Sequence, residues 1–482
     1  METVATEVSI EESYKKLSDH NPLMVQRFGA DPYALVYEDR VYMYMTGDDF
    51  SYDEKGEVTE NTYGNINTIN VISSDDLVNW TDHGTVYAAG KDGAASWGNN
   101  SWAPAAAYKN IDGQDKFFLY FANNGNGIAV LEADTPYGPF TDPIKKPLIS
   151  RDTPTCAEVT WLFDPAVLMD DDGSAYIYFG GGVPSPDKAA DPGTARVAKL
   201  SDDMIHIEGD PKPIENVDYL FEDSGINKID GTYYYSYCSN FSMTKAAEKE
   251  LGFDQGEIVT MKSKNPMGPF ERCNPVLKNP EHFFGLGGNN HHCIFEFKKK
   301  YYIAYHSRIL EEKMGILKGY RSTNIDVLSF NEKGEPSASR GTRKGVKQLK
   351  PIDAFKENMA VTMSNSAGIK TTQYGEDAVK YGSGDMIVTD ISDGSWISVS
   401  GVDFGIDGTD SLTVCIRGKN GGKIHVRVEK PDGEEAGVID LKGITSKFKE
   451  KTVKLDNKIV GKHDLFFVFE GEDFEMLSWK FN

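Results

Sequence analysis

Four residues, Asp31, Asp164, Glu222 and His291, stand at matching positions ahead of four aromatic runs, and three of them are carboxylic acids. Asp31 precedes Tyr42 by 11 positions, Asp164 precedes Tyr176 by 12, Glu222 precedes Tyr233 by 11 and His291 precedes Tyr302 by 11. Carboxyls gathered in one pocket do acid–base chemistry. Two carboxylates about 5 Å apart at an effective dielectric of about 20 repel by roughly 3 kcal/mol, which corresponds to about two pKa units. One member of the cluster therefore stays protonated while a neighbour is ionised, so a proton donor and a proton acceptor coexist at one pH. Taken singly, Asp31-Pro32 and Asp164-Pro165 also read as turn pairs whose carboxylates accept backbone hydrogen bonds. Their recurrence in register, with Glu222 in the corresponding slot, favours a shared site. The prolines are expected to hold both aspartates in an extended conformation at strand entrances, where a missing N–H needs no ladder partner.

The elements that must position these groups are five similar runs: Val41 to Met45, Phe117 to Phe121, Ala175 to Phe179, Tyr233 to Tyr237 and Tyr301 to Tyr305. Aromatic and β-branched residues alternating with small or polar ones read as strands. Most of these runs follow a turn signal, such as Asp112-Gly113, Asp172-Gly173 or Asp230-Gly231, and that turn follows a second apolar run. The unit is a hairpin repeated at intervals of roughly 60 to 75 residues, which implies an all-β chain built as a five-bladed β-propeller. The innermost strand of each blade lines a central channel, so the residues opening those strands converge on the axis. Trp102 and Ala103 occupy the opening of the second repeat.

A formal net charge of −23 argues against nucleic acid and anionic membrane as partners, because phosphate binding needs a cationic face. No apolar stretch approaches the length of a membrane-spanning helix. The five cysteines contain no CxxC pair and the N-terminus lacks a basic start and apolar core. Reduced thiols in a cytoplasmic protein are expected, or a secreted protein if a native leader has been removed. Helix is scarce, with Thr244 to Gly252 the best short candidate.

Near residue 350 the pattern changes. A polar segment, Asn331 to Ser337, leads through a basic stretch to short alternating runs at 396–399, 411–416, 423–428 and 464–469. This spacing predicts a separate β-sandwich of the jelly-roll kind over 351–482, after a propeller over 21–350 and an N-terminal extension over 1–20.

The stretches Gly29-Ala30-Asp31-Pro32-Tyr33, Trp161-Leu162-Phe163-Asp164-Pro165, Phe221-Glu222-Asp223-Ser224 and Gly287-Gly288-Asn289-Asn290-His291-His292, in this order, resemble family 43 of the glycoside hydrolases, and within it the arabinofuranohydrolases. The tail, through Ser395-Trp396-Ile397, Gly401 to Gly405 and His463 to Phe466, is similar to family 6 carbohydrate-binding modules. The first resemblance implies an exo-acting, inverting hydrolase that removes α-L-arabinofuranosyl groups from arabinoxylan or its oligosaccharides. Asp31 would be the general base, Glu222 the general acid, and Asp164 the carboxylate that tunes and orients the acid. Its substrate partner would be a pentose-containing oligosaccharide or polysaccharide. β-D-Xylosidase activity is the nearest alternative, and a non-catalytic sugar-binding propeller the alternative of another class. The resemblance also implies one hydrated cation, usually calcium, at the axis beside His291, and no organic cofactor. A plain hydrogen-bonded channel histidine is the competing reading, since calcium prefers several oxygen ligands.

Sugar recognition needs aromatic platforms and polar groups around them. Trp102, Trp161 and Phe241 are the candidate platforms, with core packing as the alternative for each. Asn289 could bond sugar hydroxyls, and Arg321 resembles a pocket arginine of the family, although a surface ion pair would also suit it. The run Gly443 to Lys449 lacks the tryptophan that sugar-binding modules of this kind often carry, so the tail is expected to pack against the propeller or shape its groove. Trp396 is expected in the core.

Overall fold

The computed structural model describes residues 8–375 and 386–482. Strands dominate, and among the described residues no helix is long and apolar enough to cross a membrane. Between residues 30 and 327 five antiparallel sheets follow one another. Their first two strands are Ala30–Tyr37 with Arg40–Thr46, Trp102–Ile111 with Gln114–Ala122, Ala166–Met169 with Ala175–Phe179, Leu220–Ile229 with Thr232–Ser239, and His292–Phe297 with Lys300–Ser307. Each of the five aromatic runs is thus the second strand of its sheet, as the hairpin repeat predicts.

Alternation buries both faces of these strands, and the resulting apolar clusters join the sheets in a closed series. Tyr44 and Val71 of the first sheet pack with Leu119 and Phe121 of the second, and Tyr120 and Val130 of the second with Ile177 and Phe179 of the third. Tyr178 and Val197 meet Tyr235 and Met261 of the fourth, whose Cys238 and Ile258 meet Ile303 and Tyr305 of the fifth. The series closes where Phe295 and Tyr302 of the fifth sheet pack on Met43 and Ile72 of the first. Tyr33 borders four of these clusters. Its hydroxyl donates to the Val167 carbonyl at 2.9 Å and accepts from the Val167 N–H at 3.0 Å, so it bridges the first and third sheets.

Residues beyond 350 form two further sheets, one built on Trp396–Asp403, Lys462–Glu470 and Lys423–Val428, the other on Thr409–Gly418, Phe474–Phe481 and Lys449–Ile459. Their inner faces share one core that includes Ile397, Val414, Phe467 and Trp479. The strand Thr362–Met363 leaves this unit to pair with Trp80 and Thr81 at the outer edge of the first propeller sheet. Asn79 exchanges two bonds with the backbone of Ser400, at 3.0 and 2.8 Å, and Gln348 ties Asp76 to the same carbonyl. The N-terminal segment crosses the sandwich, where the Trp396 indole donates to the Glu11 carbonyl at 2.8 Å. Trp396 is buried, as expected. The short helix Lys245–Leu251 also matches its signals: the Thr244 hydroxyl caps Ala247, and Gly252 ends it in the left-handed region at φ +80°.

Candidate active site

Asp31, Ala103, Asp164 and Asp223 share a backbone feature that the residue pattern does not announce. Their φ angles are +47°, +40°, +50° and +69°. The extended conformation expected at Asp31 and Asp164 is therefore incorrect. The ladder slips at this level in three sheets, between Ala30 and Tyr33, Trp102 and Ala105, and Glu222 and Gly225. A bulge re-aims a side chain that regular alternation would point elsewhere, and positive φ in a non-glycine residue is strain that the surrounding packing must hold. The repeated bulge turns the opening residues toward a common cavity.

That cavity has a volume of about 560 Å³. Asp31, Asp164, Glu222, His291, Trp102, Trp161, Asn289 and Arg321 all line it, joined by Tyr63, Arg151, Phe163 and Phe221. Phe241 does not. It is 45 % exposed and stands edge-on to Phe221, with ring centroids 5.5 Å apart, outside the lining. Trp161 is wedged against Phe163 and Phe221, each at 5.2 Å. A Cβ at Gly182, where φ is +79°, would come within 2.8 Å of the Trp161 ring, so glycine there makes room for the indole. Arg151 staples the approach to Trp161 through the carbonyls of Val159 and Thr160, at 2.8 and 3.1 Å.

Asp31 is the most constrained carboxylate. One oxygen accepts from Arg321 Nη1 at 3.0 Å, and the other from the Thr46 hydroxyl at 2.7 Å. His306 Nδ1 lies 3.1 Å from the first of these oxygens. Burial pushes the Asp31 carboxyl up, but the Arg321 charge, the His306 contact and the nearby imidazoles outweigh it and hold the group well below the usual carboxylate range. Arg321 is itself buried, so the surface ion-pair reading does not apply.

Glu222 behaves in the opposite way. Burial first, then the charges of Asp164 and Asp31, push its carboxyl well above the usual range. Its Oε1 is buried with no hydrogen-bond partner, which leaves a polar atom of the acid without compensation. Asp164 is likewise pushed up by burial and by Asp31, while its Oδ2 accepts the Asp223 N–H at 2.9 Å. The surroundings thus push the proton affinities of Asp31 and Glu222 in opposite directions within one cavity.

His291 lies among acids. Its Nε2 is 3.1 Å from Asp223 Oδ1, and its Nδ1 is 3.7 Å from Asp31 and 3.8 Å from Asp164. Burial lowers its affinity for a proton, against the pull of Asp223 and Asp31. Among the described residues no group of three or more His, Cys, Asp or Glu side chains is disposed to hold a metal ion. A single imidazole beside carboxylates does not fit a protein-held calcium shell, which needs six to eight oxygen ligands, and a hydrated ion here would rest on one nitrogen.

Several residues of the site have no counterpart among the sequence candidates. Thr46 and His306 each directly follow an aromatic run, the slot that faces the strand opener across the hairpin, as in the pairing Ala30 with Thr46. Reading the repeats one position further would have found them. Asp223, Asp48 and Tyr63 carry no such repeated signal.

Residues 20–336 match the model of glycosyl hydrolases family 43, and residues 359–482 match the model of carbohydrate binding module family 6. The family match over most of the chain places it in the class of carbohydrate-cleaving enzymes. The chain belongs to family 43 of the glycosyl hydrolases, its fold a β-propeller followed by a β-sandwich. It is 45 % identical over 465 residues to an arabinoxylan arabinofuranohydrolase of Paenibacillus polymyxa, covering 94 % of this chain and 72 % of that one. It is 43 % identical over 473 residues to an arabinoxylan arabinofuranohydrolase of Bacillus subtilis strain 168, covering 95 % and 90 %. The crystal structure of a family 43 arabinoxylan arabinofuranohydrolase from Bacillus subtilis, in complex with cellotetraose, superposes with a TM-score of 0.91 at 42 % identity, covering 98 % of this chain and 99 % of that one.

Proposed function

We propose that this chain is an exo-acting, inverting glycoside hydrolase that removes α-L-arabinofuranosyl groups from arabinoxylan or arabinoxylo-oligosaccharides, in a five-bladed propeller. The observation that carries the reading is that Asp31, bonded to Arg321, and Glu222, whose Oε1 is buried without a partner, line one cavity, where their surroundings push their proton affinities in opposite directions. The closed series of five packed sheets supports the blade count. The two arabinofuranohydrolase relatives supply the sugar.

Glu222 gives its proton to the departing glycosidic oxygen while Asp31 takes a proton from a water that attacks the anomeric carbon from the opposite face. One displacement follows, and the configuration inverts. Asp164 and Glu222 each raise the other's proton affinity when ionised, and through the Asp223 N–H Asp164 is fixed to the strand segment that carries the acid. Arg321 and Thr46 occupy both oxygens of Asp31 and restrict its rotation, so the base is set before substrate arrives. Trp102, Trp161 and Phe221 offer apolar walls to the sugar, and Asn289 offers an amide. A calcium ion, if bound beside His291, would supply positive charge near the carboxylates; no proton transfer above passes through it.

The test is release of arabinose and xylose from aryl α-L-arabinofuranoside, aryl β-D-xyloside and arabinoxylo-oligosaccharides, beside folded Glu222→Gln and Asp31→Asn variants. Arabinose release that both substitutions abolish is expected. Xylose release that exceeds it would move the assignment to a β-xylosidase, and no release of either sugar would overturn it.

A further inference from the structure

Asp48 takes no part in the proton transfers above, yet it is completely buried beside them. It lies two residues beyond Thr46, where the chain leaves the strand Arg40–Thr46. Its Oδ1 accepts from Arg321 Nη2 at 2.9 Å, and its Oδ2 accepts from Arg321 Nε and from the Arg321 backbone N–H, both at 2.9 Å. Two parallel bonds of this kind fix the plane of a guanidinium as well as its position. The Tyr63 ring covers the same group, 4.7 Å from the guanidinium carbon to the ring centroid. Arg321 is thereby held at its edge by Asp48 and across its face by Tyr63, which leaves Nη1 for Asp31, 3.0 Å away.

Thr46 and Asp48 together organise both oxygens of Asp31. Thr46 bonds Oδ2 directly, and its own oxygen accepts the Ala103 N–H at 2.9 Å. Asp48 reaches Oδ1 only through Arg321. A lone arginine could swing its charge away from Asp31 by rotating about its side-chain bonds. The carboxylate of Asp48 removes that freedom at the end of the chain where it matters.

We propose that Asp48 is a positioning residue for the hydrolysis: it locks the Arg321 fork in the orientation that presents Nη1 to Asp31, and so sets both the direction and the ionised state of the base. This inference rests on Asp31 being the base. Asp48 touches neither the sugar nor the attacking water in this account, and acts solely through Arg321.

The experiment compares the full-length enzyme with Asp48→Asn, Arg321→Lys and the double variant on an aryl α-L-arabinofuranoside, recording kcat, KM and the pH dependence of kcat/KM. Asparagine keeps the size of Asp48 but loses its charge and one of its acceptors. Asp48→Asn is expected to lower kcat by about tenfold or more, leave KM within about twofold, and move the acid limb of kcat/KM upward, because Asp31 loses a fixed positive neighbour. Added to Arg321→Lys, it should cost little more than Arg321→Lys alone. An unmoved acid limb, or losses that multiply, would overturn the proposal. Should Asp48→Asn not fold, Asp48→Glu, which shifts the fork by one carbon, is expected to move the limb in the same direction, and an unmoved limb there would equally overturn the proposal. A crystal structure of Asp48→Asn reads the claim without turnover: Arg321 displaced from Asp31 supports it, and an unchanged Nη1–Asp31 contact overturns it. Absence of sugar release by the native enzyme would instead defeat the functional reading and leave the crystallographic arm to decide the part played by Asp48.

Discussion

The propeller cavity and the cleft of the C-terminal sandwich are nearly equal in size, about 560 and 550 Å³, and nearly opposite in chemistry. The sandwich cleft is also rich in charge, with Arg417, Lys419, Asp390, Asp473 and Glu475 in its walls. There several of the charges have partners: Arg417 bonds Glu475, Lys370 meets Asp390 at 2.8 Å and the Asn420 amide donates to Asp473 at 2.8 Å. Arg417 also turns its guanidinium onto Phe448 beside the cleft, at 4.7 Å, and Phe448 packs edge-on to Tyr374. In the propeller cavity Glu222 Oε1 is buried without a partner, and the carboxyls of Asp31 and Glu222 are pushed to opposite sides of the usual range. A cavity's volume says little about reactivity. Buried polar groups left unmatched, and held so by strained backbone, say more.

Substitutions that break the contrast should do so in order of how directly they touch the unmatched groups. Glu222→Gln and Asp31→Asn are expected to lower kcat by about 10²- to 10⁴-fold each, read on an aryl α-L-arabinofuranoside. Trp161→Ala removes a cavity wall and should lower kcat/KM by about tenfold or more, from the lost apolar contact with the sugar. The pH profile of kcat/KM should be bell-shaped. Activity falls as pH drops through the depressed value of Asp31 and again as pH rises through the elevated value of Glu222.

The same sign governs stability. A carboxyl whose proton affinity is raised on folding favours the folded state fully at low pH and loses that contribution as pH rises through its folded value. Glu222→Gln, which cannot ionise, is therefore expected to raise the melting temperature at mildly alkaline pH and change it little in acid, the usual exchange of activity for stability at a strained site. Arg417→Ala in the sandwich cleft should leave arabinose release within about twofold and cost less than about 1 kcal/mol, because its ion pair is partly solvated. A large loss of activity in that variant would mean that the two cavities are coupled.

Much of this arrangement is legible in the chain because the repeat supplies its own alignment. Counting back from the aromatic runs finds Asp31, Asp164, Glu222 and His291, and the structure brings all four to one cavity together with Trp102, Trp161, Asn289 and Arg321. What the count cannot show is how the strand turns at those positions. The prolines after Asp31 and Asp164 suggest extended backbone, whereas both residues adopt positive φ, at Asp31 within a bulge, a tertiary requirement that overrides a local preference. Phe241 follows an aromatic run closely enough to suggest the pocket, but Phe221 takes the inner place and leaves Phe241 outside it. Asp48 and Tyr63 are invisible in the sequence for a different reason. They lie on the long connection between Arg40–Thr46 and Thr68–Ser74, outside any repeated register, and only the folded chain brings them to Arg321.

The central claim is that an ionised Asp31 and a protonated Glu222 act on opposite faces of the sugar in one displacement. Proton NMR of the first-formed sugar, recorded while the enzyme hydrolyses an aryl α-L-arabinofuranoside, tests it most directly. The account predicts β-L-arabinofuranose as the initial product, before mutarotation. Initial α-L-arabinofuranose would contradict it, since retention requires a covalent intermediate on one carboxylate and leaves no role for Asp31 as a base acting on water.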